Sequence, residues 1–450
     1  MFKKVLIANR GEIALRIIRA CKELGVKTVA VYSQADAQSL HVLMADEAYC
    51  VGPNAAKDSY LNVQNIISVA LMSGAEAIHP GYGFMAENAT FAELCKEHEL
   101  TFIGPTPEAI RLMGDKATAK QTMVKVGMPV VPGLEGITAD VNAIKTWAAQ
   151  AGYPILIKAT AGGGGKGMRL VERPEEIETA LASAQNEAQA AFGNPDVYIE
   201  KYILKPRHIE FQIQADNYGN VIHLAERDCS IQRRHQKLIE EAPSPVVTPE
   251  LRAKVGETIV NAVKAFGYQG VGTMELLFDA DMNYYFMEMN TRIQVEHPVS
   301  EMITGVDLLK EQIKVAAGYE LTLKQEDIVI RGHAIECRIN AEDPQKNFMP
   351  MPGTIDGFIT PGGMGVRVDT HSYQGYKFPP FYDSLVAKLI CHGATREEAI
   401  ARSKRALDEF AVTGIPTTIP FHQKMMNFEP FVSGQEIYTN FLIQHANELF

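Results

Sequence analysis

The segment from Glu288 to Glu296 concentrates side chains that can do acid–base and metal chemistry. If it is extended, its side chains alternate and one face carries five polar groups. Such a row is usually the solvated face of a half-buried strand, but the apolar run 284–287 before it predicts a strand covered on both sides. Because buried charges must be paired, metal-bound or used, we interpret the row as part of an active site. The five groups are Glu288, Asn290, Arg292, Gln294 and Glu296.

The length of this polar row limits what it can bind. Eight residue steps at ~3.3 Å each span about 26 Å, so one small ligand cannot reach both ends. Either the chain turns within the segment, or the row serves two adjacent ligands. The residue pattern by itself leaves both possibilities open.

Glu275 adds a second carboxylate at the Glu288 end of the row. A turn at 279–283 predicts a hairpin, and Glu275 lies 13 positions before Glu288 on the opposite arm. Two neighbouring carboxylates repel each other unless a proton or a cation lies between them. The ligands are oxygens, and the glycine-rich segment described next predicts phosphates nearby. The pair therefore predicts Mg²⁺ or Mn²⁺ rather than Zn²⁺. Two unrelated carboxylates on an open face are the alternative.

A glycine-rich segment, 161–167, follows the strand predicted at 154–158. Consecutive glycines let backbone N–H groups converge on phosphate oxygens without interference from side chains. The segment differs from a P-loop because Lys166 is followed by Gly167 rather than by serine or threonine. A flexible hairpin tip is the alternative, but so many glycines destabilise a hairpin without a functional reason. We therefore predict a cover over the phosphates of a nucleotide.

Two cationic features could hold an anion in this acidic chain. The segment 233–237 places four cationic or potentially cationic groups within five residues, although charge runs are often only a solvated surface. Arg338 lies in an apolar strand predicted at 333–339. The position of Arg338 in the sequence is compatible with a role in the site and also with a salt bridge to Glu336 or another neighbour.

The elements that must position these groups begin with a predicted parallel sheet over 1–110. Strand and helix patterns alternate there, which is typical of a doubly wound domain. The first turn, Ala8–Glu12, lacks the GxGxxG dinucleotide fingerprint, which argues against a nicotinamide cofactor. Next the pattern predicts one helix over 107–126 and a small α/β unit, and from 207 onward mostly strands and hairpins.

The composition excludes several classes of function. The 450 residues are 46% hydrophobic and 22% charged, which is ordinary for a globular protein. The net charge of −11 gives no electrostatic basis for binding nucleic acid or an anionic membrane. No apolar run approaches the ~20 residues of a membrane span, and the first residues are strand-like rather than a signal peptide. Six scattered cysteines predict reduced thiols and a cytoplasmic protein.

Four segments together resemble the biotin carboxylases of the ATP-grasp superfamily. They are Ile7–Ala14 (IANRGEIA), His79–Gly83 (HPGYG), Lys158 with the glycine-rich segment, and Glu288–His297 (EMNTRIQVEH). The resemblance runs from end to end, and it implies an α/β protein with an α+β body. The implied parts are a doubly wound N-terminal domain (1–114), an ATP-grasp lid with the glycine-rich loop (115–204), an ATP-grasp body (205–330) and a C-terminal domain (331–450).

The resemblance also implies a role for each group. ATP would be bound by Lys116, Lys158, Gly164, Gly165, Glu200, Lys201, Tyr202, Ile203, His208 and His235. The Mg²⁺ or Mn²⁺ ligands would be Glu275, Glu288 and Asn290. Bicarbonate would contact Lys237, Arg292, Gln294 and the Val295 backbone, and biotin would contact Tyr82, Gly83 and Arg338. The catalytic groups would be Arg292, Glu296, Arg338 and Lys237.

These implied roles give the polar row a chemical explanation. Bicarbonate is a weak nucleophile, so Glu296 would remove its proton as it attacks the γ-phosphate of ATP. Lys237 and Arg292 would hold the resulting carboxyphosphate, and the metal would neutralise charge on the phosphoryl group. Carboxyphosphate would break into CO₂ and phosphate, the phosphate would deprotonate biotin, and Arg338 would stabilise the ureido oxygen. The row would then serve metal–ATP at its Glu288 end and bicarbonate at its other end.

Partners are implied in the same way. The sequence holds no biotin-attachment motif of the Ala-Met-Lys-Met type and no carboxyltransferase-sized region. We therefore expect a free-standing subunit, homodimeric as in the family, that acts on a biotin carboxyl carrier protein and works with carboxyltransferase subunits. Whether acetyl-CoA, propionyl-CoA or pyruvate is the final acceptor stays open. Two rival hypotheses are another ATP-grasp ligase, disfavoured by the 292–296 spacing, and a non-catalytic ATP-binding subunit, disfavoured because no base or metal ligand is missing.

Overall fold

The N-terminal region is a doubly wound α/β unit, as the alternating pattern predicts. The computed structural model describes residues 1–134, 136, 138–160 and 167–450. The elements of this first unit are β1 (Lys4–Ile7), α1 (Gly11–Glu23), β2 (Lys27–Ser33), α2 (Leu40–Met44), β3 (Glu47–Gly52), α3 (Val63–Ser73), β4 (Ala77–His79), α4 (Ala89–Glu97) and β5 (Thr101–Phe102). The strands are parallel in the order β3-β2-β1-β4-β5.

The strand order reverses between β1 and β4, and ligands commonly bind in the crevice beside such a reversal. The loops that follow these two strands are tied together there. The Asn9 amide donates to the backbone oxygens of Pro80 and Tyr82 at 2.6 and 2.7 Å. Gly81 has φ +63°, and a Cβ at that position would lie 2.9 Å from Asn9. Glycine is therefore required for this close approach.

Two helices follow the sheet, which corrects the prediction of a single helix over 107–126. They are α5 (Pro107–Gly114) and α6 (Lys116–Lys125). Asp115 between them is extended, and its side chain accepts a hydrogen bond from the Thr118 N–H at 2.7 Å. The prediction failed because an N-cap residue needs non-helical backbone, so a capping aspartate starts a new helix.

A small antiparallel sheet comes next, in the order β7-β6-β8, with two helices packed on it. Its elements are α7 (Val141–Ala151), β6 (Ile155–Ala159), β7 (Met168–Val171), α8 (Ile177–Phe192) and β8 (Val197–Lys201). Ile144, Ile157, Ile199 and Leu181 belong to its own apolar core. The glycine-rich loop predicted to cover phosphates falls on 161–166, which lies outside the described residues.

The remaining chain builds an eight-stranded antiparallel sheet. Its first half contributes β9 (Arg207–Ala215), β10 (Val221–Arg233), β11 (Gln236–Ala242), α9 (Pro249–Ala265), β12 (Gly270–Phe278), β13 (Tyr284–Asn290), α10 (His297–Thr304) and α11 (Leu308–Ala316). The second half of this part of the chain contains β14 (His333–Asn340), β15 (Glu342–Asp343), β16 (Met349–Pro350), β17 (Gly353–Thr354), β18 (Gly357–Ile359), β19 (Val366–Thr370), β20 (Lys377–Phe378), β21 (Leu385–Gly393), α12 (Arg396–Glu409), β22 (Ala411–Thr413), α13 (Ile419–Asn427), α14 (Glu429–Ser433), α15 (Phe441–Gln444) and α16 (Ala446–Leu449). Of these strands β14, β19 and β21 join the eight-stranded sheet, whereas β15 with β16, β17 with β20 and β18 with β22 form two-stranded sheets. The strand order is β13-β12-β9-β10-β11-β14-β21-β19. Among the described residues, no helix combines the length and the apolar character that crossing a bilayer needs.

Four neighbouring strands place one charged residue each at the same level of this sheet. Arg227 on β10 lies opposite Glu210 on β9, and Glu210 lies opposite Glu275 on β12. Glu275 in turn lies opposite Glu288 on β13, which confirms the predicted hairpin pairing. Because directly opposite residues share a face of a sheet, the four side chains form one row across the strands.

The polar segment is extended only as far as Asn290, so of the two possibilities that its length left open the chain does turn. There β13 ends, and residues 291–296 turn before α10 begins. The Thr291 N–H leaves the sheet and donates to the Glu87 carboxylate at 3.2 Å. The run 284–287 is also an edge strand, half-buried except for Phe286, rather than a strand covered on both sides.

Candidate active site

Lys237 is the centre of a buried ionic cluster. Its ammonium contacts carboxylate oxygens of Glu210 at 2.5 Å, Glu296 at 2.7 Å and Glu275 at 3.0 Å. The lysine side chain is 12% exposed and the three carboxylates are 6% exposed or less. Burial alone would lower its pKa, but the three carboxylates raise the pKa of Lys237 well above its ordinary value. Lys237 is therefore a fixed positive charge.

Glu296 joins Lys237 to Arg338. Its Oε1 accepts a hydrogen bond from Lys237, and its Oε2 accepts one from Nη2 of Arg338 at 2.8 Å. Burial opposes the ionisation of Glu296, yet the two cations hold its pKa below its ordinary value. The residue is thus an ionised carboxylate, which is the form that a general base requires.

Arg338 on β14 is shared between two carboxylates. Besides Glu296, its Nε donates to Glu240 on β11 at 2.6 Å. Burial raises the pKa of Glu240 to about 7, with Arg338 opposing the rise. The salt bridge to Glu336 considered from the sequence is not formed, since neither Glu336 oxygen has a hydrogen-bond partner in the part of the chain that the structure describes. The neighbour that pairs with Arg338 is Glu240.

Arg227 is a fully buried residue of this cluster that sequence reasoning missed. Its Nη2 donates to Oε1 of Gln294 at 2.5 Å, and Nε2 of Gln294 donates to Glu275 at 2.7 Å. The sequence contains a pattern that could have identified Arg227. The strand 209–214 alternates polar and apolar residues, so it presents a polar face next to the strand that carries Arg227. Its hydrogen-bond acceptors are Glu210 (2.6 Å), Gln212 (2.6 Å), Ser300 (3.0 Å), Thr273 (3.2 Å) and Gln294 (2.5 Å).

Arg292 lies at the turn, beside the cluster but outside its ion pairs. Its Nε donates to Glu87 at 2.8 Å, and its Nη2 donates to Oδ1 of Asn290 at 2.5 Å. The side chains are more open here, with Arg292 21% exposed and Glu87 43% exposed. Glu87 comes from the N-terminal unit, and nothing in the sequence pattern singled it out.

Glu275 and Glu288 offer oxygen atoms to a divalent cation near the sheet edge. They lie opposite each other, and Asn290 lies two residues beyond Glu288 on the same face. Glu288 is 37% exposed, and one of its oxygens is 3.3 Å from the ammonium of Lys116. Two carboxylates and an amide oxygen are the ligand types that Mg²⁺ or Mn²⁺ prefers, but Glu275 already contacts Lys237, Gln294 and His208. The Asn290 oxygen already accepts from Arg292, so a bound cation would have to displace these donors. The structure thus brings together the three residues to which the resemblance gave this role.

The residues implied to bind ATP fall into two groups. In the first, Lys158 donates to Glu200 at 3.0 Å and Lys120, which sequence reasoning missed, also contacts Glu200. Burial and neighbouring cations lower the pKa of Lys158 to about 8 and that of Lys120 to about 7. In the second, the His208 ring lies 3.2 Å from Glu275. Burial opposes its protonation, but Glu275 raises the pKa of His208 to about 9.

The other implied ATP contacts are not gathered around these groups. The Lys201 ammonium donates to the Gly152 and Tyr153 carbonyls, at 2.8 and 3.2 Å, so it points toward the connection between α7 and β6. Tyr202 and Ile203 are half-buried in the connection from β8 to β9. Gly164 and Gly165 fall outside the described residues.

The cationic side chains of the segment 233–237 point in different directions, and their role in binding an anion stays a prediction. Arg234 and His235 are exposed in the turn that joins β10 to β11, and both have positive φ. Lys237 points inward to the buried carboxylates. The reason is the hairpin itself, because a turn directs its own side chains to solvent while the next strand returns to the sheet.

A cavity of about 380 Å³ opens beside the cluster. Tyr82 and Gly83 line it together with Val295 and Arg338, so the residues implied to face biotin meet there. The cavity lies where the loops after β1 and β4 approach the eight-stranded sheet. A concave site of this size suits a small ring compound.

Models of known families match three consecutive parts of the chain. The model for the biotin carboxylase N-terminal domain matches residues 1–110. The model for the carbamoyl-phosphate synthase L chain ATP binding domain matches 115–324, and that for the biotin carboxylase C-terminal domain matches 336–444.

A curated protein and two solved structures agree with these matches. Biotin carboxylase 1 of Bacillus subtilis (strain 168) is 62% identical over 443 residues, covering 98% of each chain. The biotin carboxylase domain dimer of Hydrogenobacter thermophilus 2-oxoglutarate carboxylase, solved with MgADP, ADP and bicarbonate, has a TM-score of 0.93 at 54% identity, covering 100% and 99% of the two chains. A Campylobacter jejuni biotin carboxylase complex with β-γ-ATP has a TM-score of 0.94 at 50% identity, covering 99% of each. The chain therefore belongs to the biotin carboxylase family.

Proposed function

We propose that this chain uses ATP and bicarbonate to carboxylate biotin carried on a partner protein. The observation that carries the proposal is Glu296, an ionised buried carboxylate held between Lys237 and Arg338 beside the cavity. A base, two cations and a ring-sized cavity are the parts that this reaction needs.

In the first step, bicarbonate would bind where Lys237, Arg292 and Gln294 converge. Glu296 would accept its proton as a bicarbonate oxygen attacks the γ-phosphorus of ATP, forming carboxyphosphate and releasing ADP. Lys237 would remain charged, because the carboxylates raise its pKa well above its ordinary value, and its charge would stabilise the new anion. A divalent ion on Glu275 and Glu288 would supply charge neutralisation to the phosphoryl group.

In the second step, carboxyphosphate would break into CO₂ and phosphate. The phosphate would remove the proton from the ureido nitrogen of biotin, and that nitrogen would attack CO₂. Arg338 would donate hydrogen bonds to the ureido oxygen as negative charge develops on it. Tyr82 and Gly83 would form the wall against which the biotin ring lies, since they line the same cavity as Arg338.

ADP release from MgATP and bicarbonate, with and without free biotin, tests the proposal. Bicarbonate-dependent release that biotin strongly stimulates is the expected result. ADP release that does not respond to biotin would indicate that the acceptor is a different compound and that the chain is another ATP-grasp ligase. Binding of ATP without any turnover would favour a regulatory subunit.

Glu296→Gln sharpens this test because it keeps the size of the side chain and removes the base. We expect turnover to fall by about 100-fold or more with ATP affinity retained, since general-base catalysis contributes about 10²–10⁴-fold. Glu226→Gln is the matched control, because Glu226 is a buried carboxylate paired with Arg252 at 2.6 Å outside the cluster. Near-normal turnover of the Glu296 variant would show that Glu296 is not the general base.

We also propose the assembly in which the chain works. The proposed partners are a biotin carboxyl carrier protein and carboxyltransferase subunits of an enzyme such as acetyl-CoA carboxylase, and the chain itself would be a homodimer. The Hydrogenobacter neighbour, described as a dimer, supports the last point. Sedimentation of the isolated chain tests it, and a monomer would contradict it. The division at 114, 204 and 330 stays a prediction.

A further inference from the structure

Lys388 is a fully buried ammonium to which none of the roles above has been given. It lies on β21, opposite Arg338 on β14, and its side chain is 0% exposed. Its Nζ donates to the Val295 carbonyl at 2.8 Å and lies 3.1 Å from Oε1 of Glu12 and 4.0 Å from Asp369. Burying a charge is unfavourable unless geometry and partners compensate it. These contacts are therefore the reason that the lysine can be there.

The partners of Lys388 come from distant parts of the chain. Glu12 is 3% exposed and lies in the first turn of α1, and its Oε1 also accepts a hydrogen bond from the Tyr82 hydroxyl at 2.5 Å. Val295 lies in the turn before α10. One ammonium thus connects the Tyr82 wall of the cavity, through Glu12, to the segment that carries Glu296.

The Val295 carbonyl matters because its peptide unit includes the Glu296 nitrogen. A peptide unit is planar, so fixing the direction of the Val295 carbonyl also fixes the Glu296 N–H and the start of that side chain. A hydrogen bond from a charged donor is short and directional, and full burial shields the Lys388 ammonium from bulk water. Lys388 therefore fixes the position of the Glu296 backbone, from which the side chain of the base extends.

We propose that Lys388 is a positioning residue for the carboxylation reaction, holding the Val295–Glu296 peptide and, through Glu12, the Tyr82 wall in one fixed arrangement. The inference rests on the proposed function. It differs from a purely structural role because it ties the bicarbonate end and the biotin end of the site to the same atom. Loss of Lys388 should therefore damage both ends and leave nucleotide binding intact.

Lys388→Met keeps the length of the apolar stem and removes the charge. We expect kcat/KM for bicarbonate and for free biotin each to fall by up to about 100-fold, which a ~1 Å misplacement of reacting groups can cost. The Kd for ATP, measured directly, should stay the same. Arg396→Met is the matched control, since Arg396 of α12 makes an ion pair at 2.6 Å with Glu241 on β11, and neither residue lines the cavity. It should lower Tm without changing either kcat/KM.

A double-mutant cycle with Tyr82→Phe separates positioning from general damage. In the wild type this substitution breaks the hydrogen bond to Glu12 and should lower kcat/KM for biotin. In Lys388→Met the connection is already lost, so the same substitution should have little further effect. Independent, multiplying effects would overturn the proposal.

The outcomes also separate this inference from the proposed function. A wild type without biotin-stimulated ADP release refutes the proposed function itself. An active wild type together with a Lys388→Met variant that behaves like Arg396→Met overturns the inference alone. If Lys388→Met does not fold, Glu12→Gln replaces it, because it keeps the size of the side chain and weakens the same connection. An unchanged kcat/KM for biotin in that variant would equally overturn the inference.

Discussion

Replacing Arg227 with methionine should destabilise the protein and weaken its use of bicarbonate. The side chain is fully buried, so Gln212 and Gln294 each lose a donor, while Glu210 keeps its contact with Lys237 at 2.5 Å. Removing one partner from a buried ionic network costs about 3–5 kcal/mol. At ~2.1 cal/mol/K per residue, 450 residues have an unfolding entropy of about 0.95 kcal/mol/K, so about 4 kcal/mol lowers Tm by about 4 °C.

The same substitution acts on bicarbonate through Gln294. Without Arg227, the bond to Glu275 is the one side-chain contact with a described residue that still orients that amide. A lost buried hydrogen bond of about 1.4 kcal/mol corresponds to about a tenfold rise in the KM for bicarbonate. Thermal melts monitored by circular dichroism give the first quantity. ADP release over a bicarbonate series, well below the melting temperature and at saturating ATP, gives the second.

Arg252→Met is the comparison, because Arg252 binds Glu226 at 2.6 and 2.7 Å on the same strand as Arg227 but outside the cluster. It should lower Tm by a similar amount and leave the KM for bicarbonate unchanged. An Arg227 variant with the wild-type Tm would show that the buried network adds no net stability. One with a lowered Tm and an unchanged KM would show that Arg227 does not orient Gln294.

Three further predictions concern individual charges. Arg338→Ala should abolish biotin carboxylation and leave ATP binding near normal, whereas lost ATP binding would mean that its pairs with carboxylates are mainly structural. Glu87→Gln should free Arg292 and lower the KM for bicarbonate by up to about fivefold, since exposed pairs contribute about 0–1 kcal/mol, and a raised KM would contradict this. Burial opposes the ionisation of Glu241, but Arg396 and His333 lower its pKa to about 2. Glu241 therefore adds stability above its ordinary pKa of 4.5, which is lost as the pH falls through about 2. In Glu241→Gln, melts between pH 5 and 3 should show a weaker pH dependence than the wild type, and equal slopes would refute the argument.

Local pattern predicts those parts of the site that depend on neighbouring positions in the chain. The pairing of Glu275 with Glu288 follows from a hairpin whose arms and turn are visible in the sequence, and the structure reproduces it. The doubly wound N-terminal unit follows from the alternation of strand and helix patterns in the same way. In both cases the determining interactions are short-range.

The features that the sequence did not reveal depend on contacts between distant segments. The polar row turns at Thr291 because its N–H bonds to Glu87, which is 204 positions away. Lys388 is a charged residue among the apolar residues 385–391 of its strand, and its partner Val295 is 93 positions away. No periodicity can specify such contacts, since hydrophobic patterning fixes which face is buried but not which segment covers it.

The distribution of exposure among the ion pairs determines where an anion can enter most easily. In the described residues, every cation assigned to bicarbonate already has a carboxylate partner: Lys237 has three, and Arg292 has Glu87. Opening a buried pair leaves a desolvated charge behind, whereas a carboxylate released from an exposed pair returns to water. The ion pairs of Lys237 are buried. In the Arg292–Glu87 pair, by contrast, Glu87 is 43% exposed to solvent. Exchange of Glu87 for an incoming anion on Arg292 is therefore the least costly opening. It leaves the contact between Lys237 and Glu296 intact, so the base keeps its ionised form while the nucleophile arrives beside it.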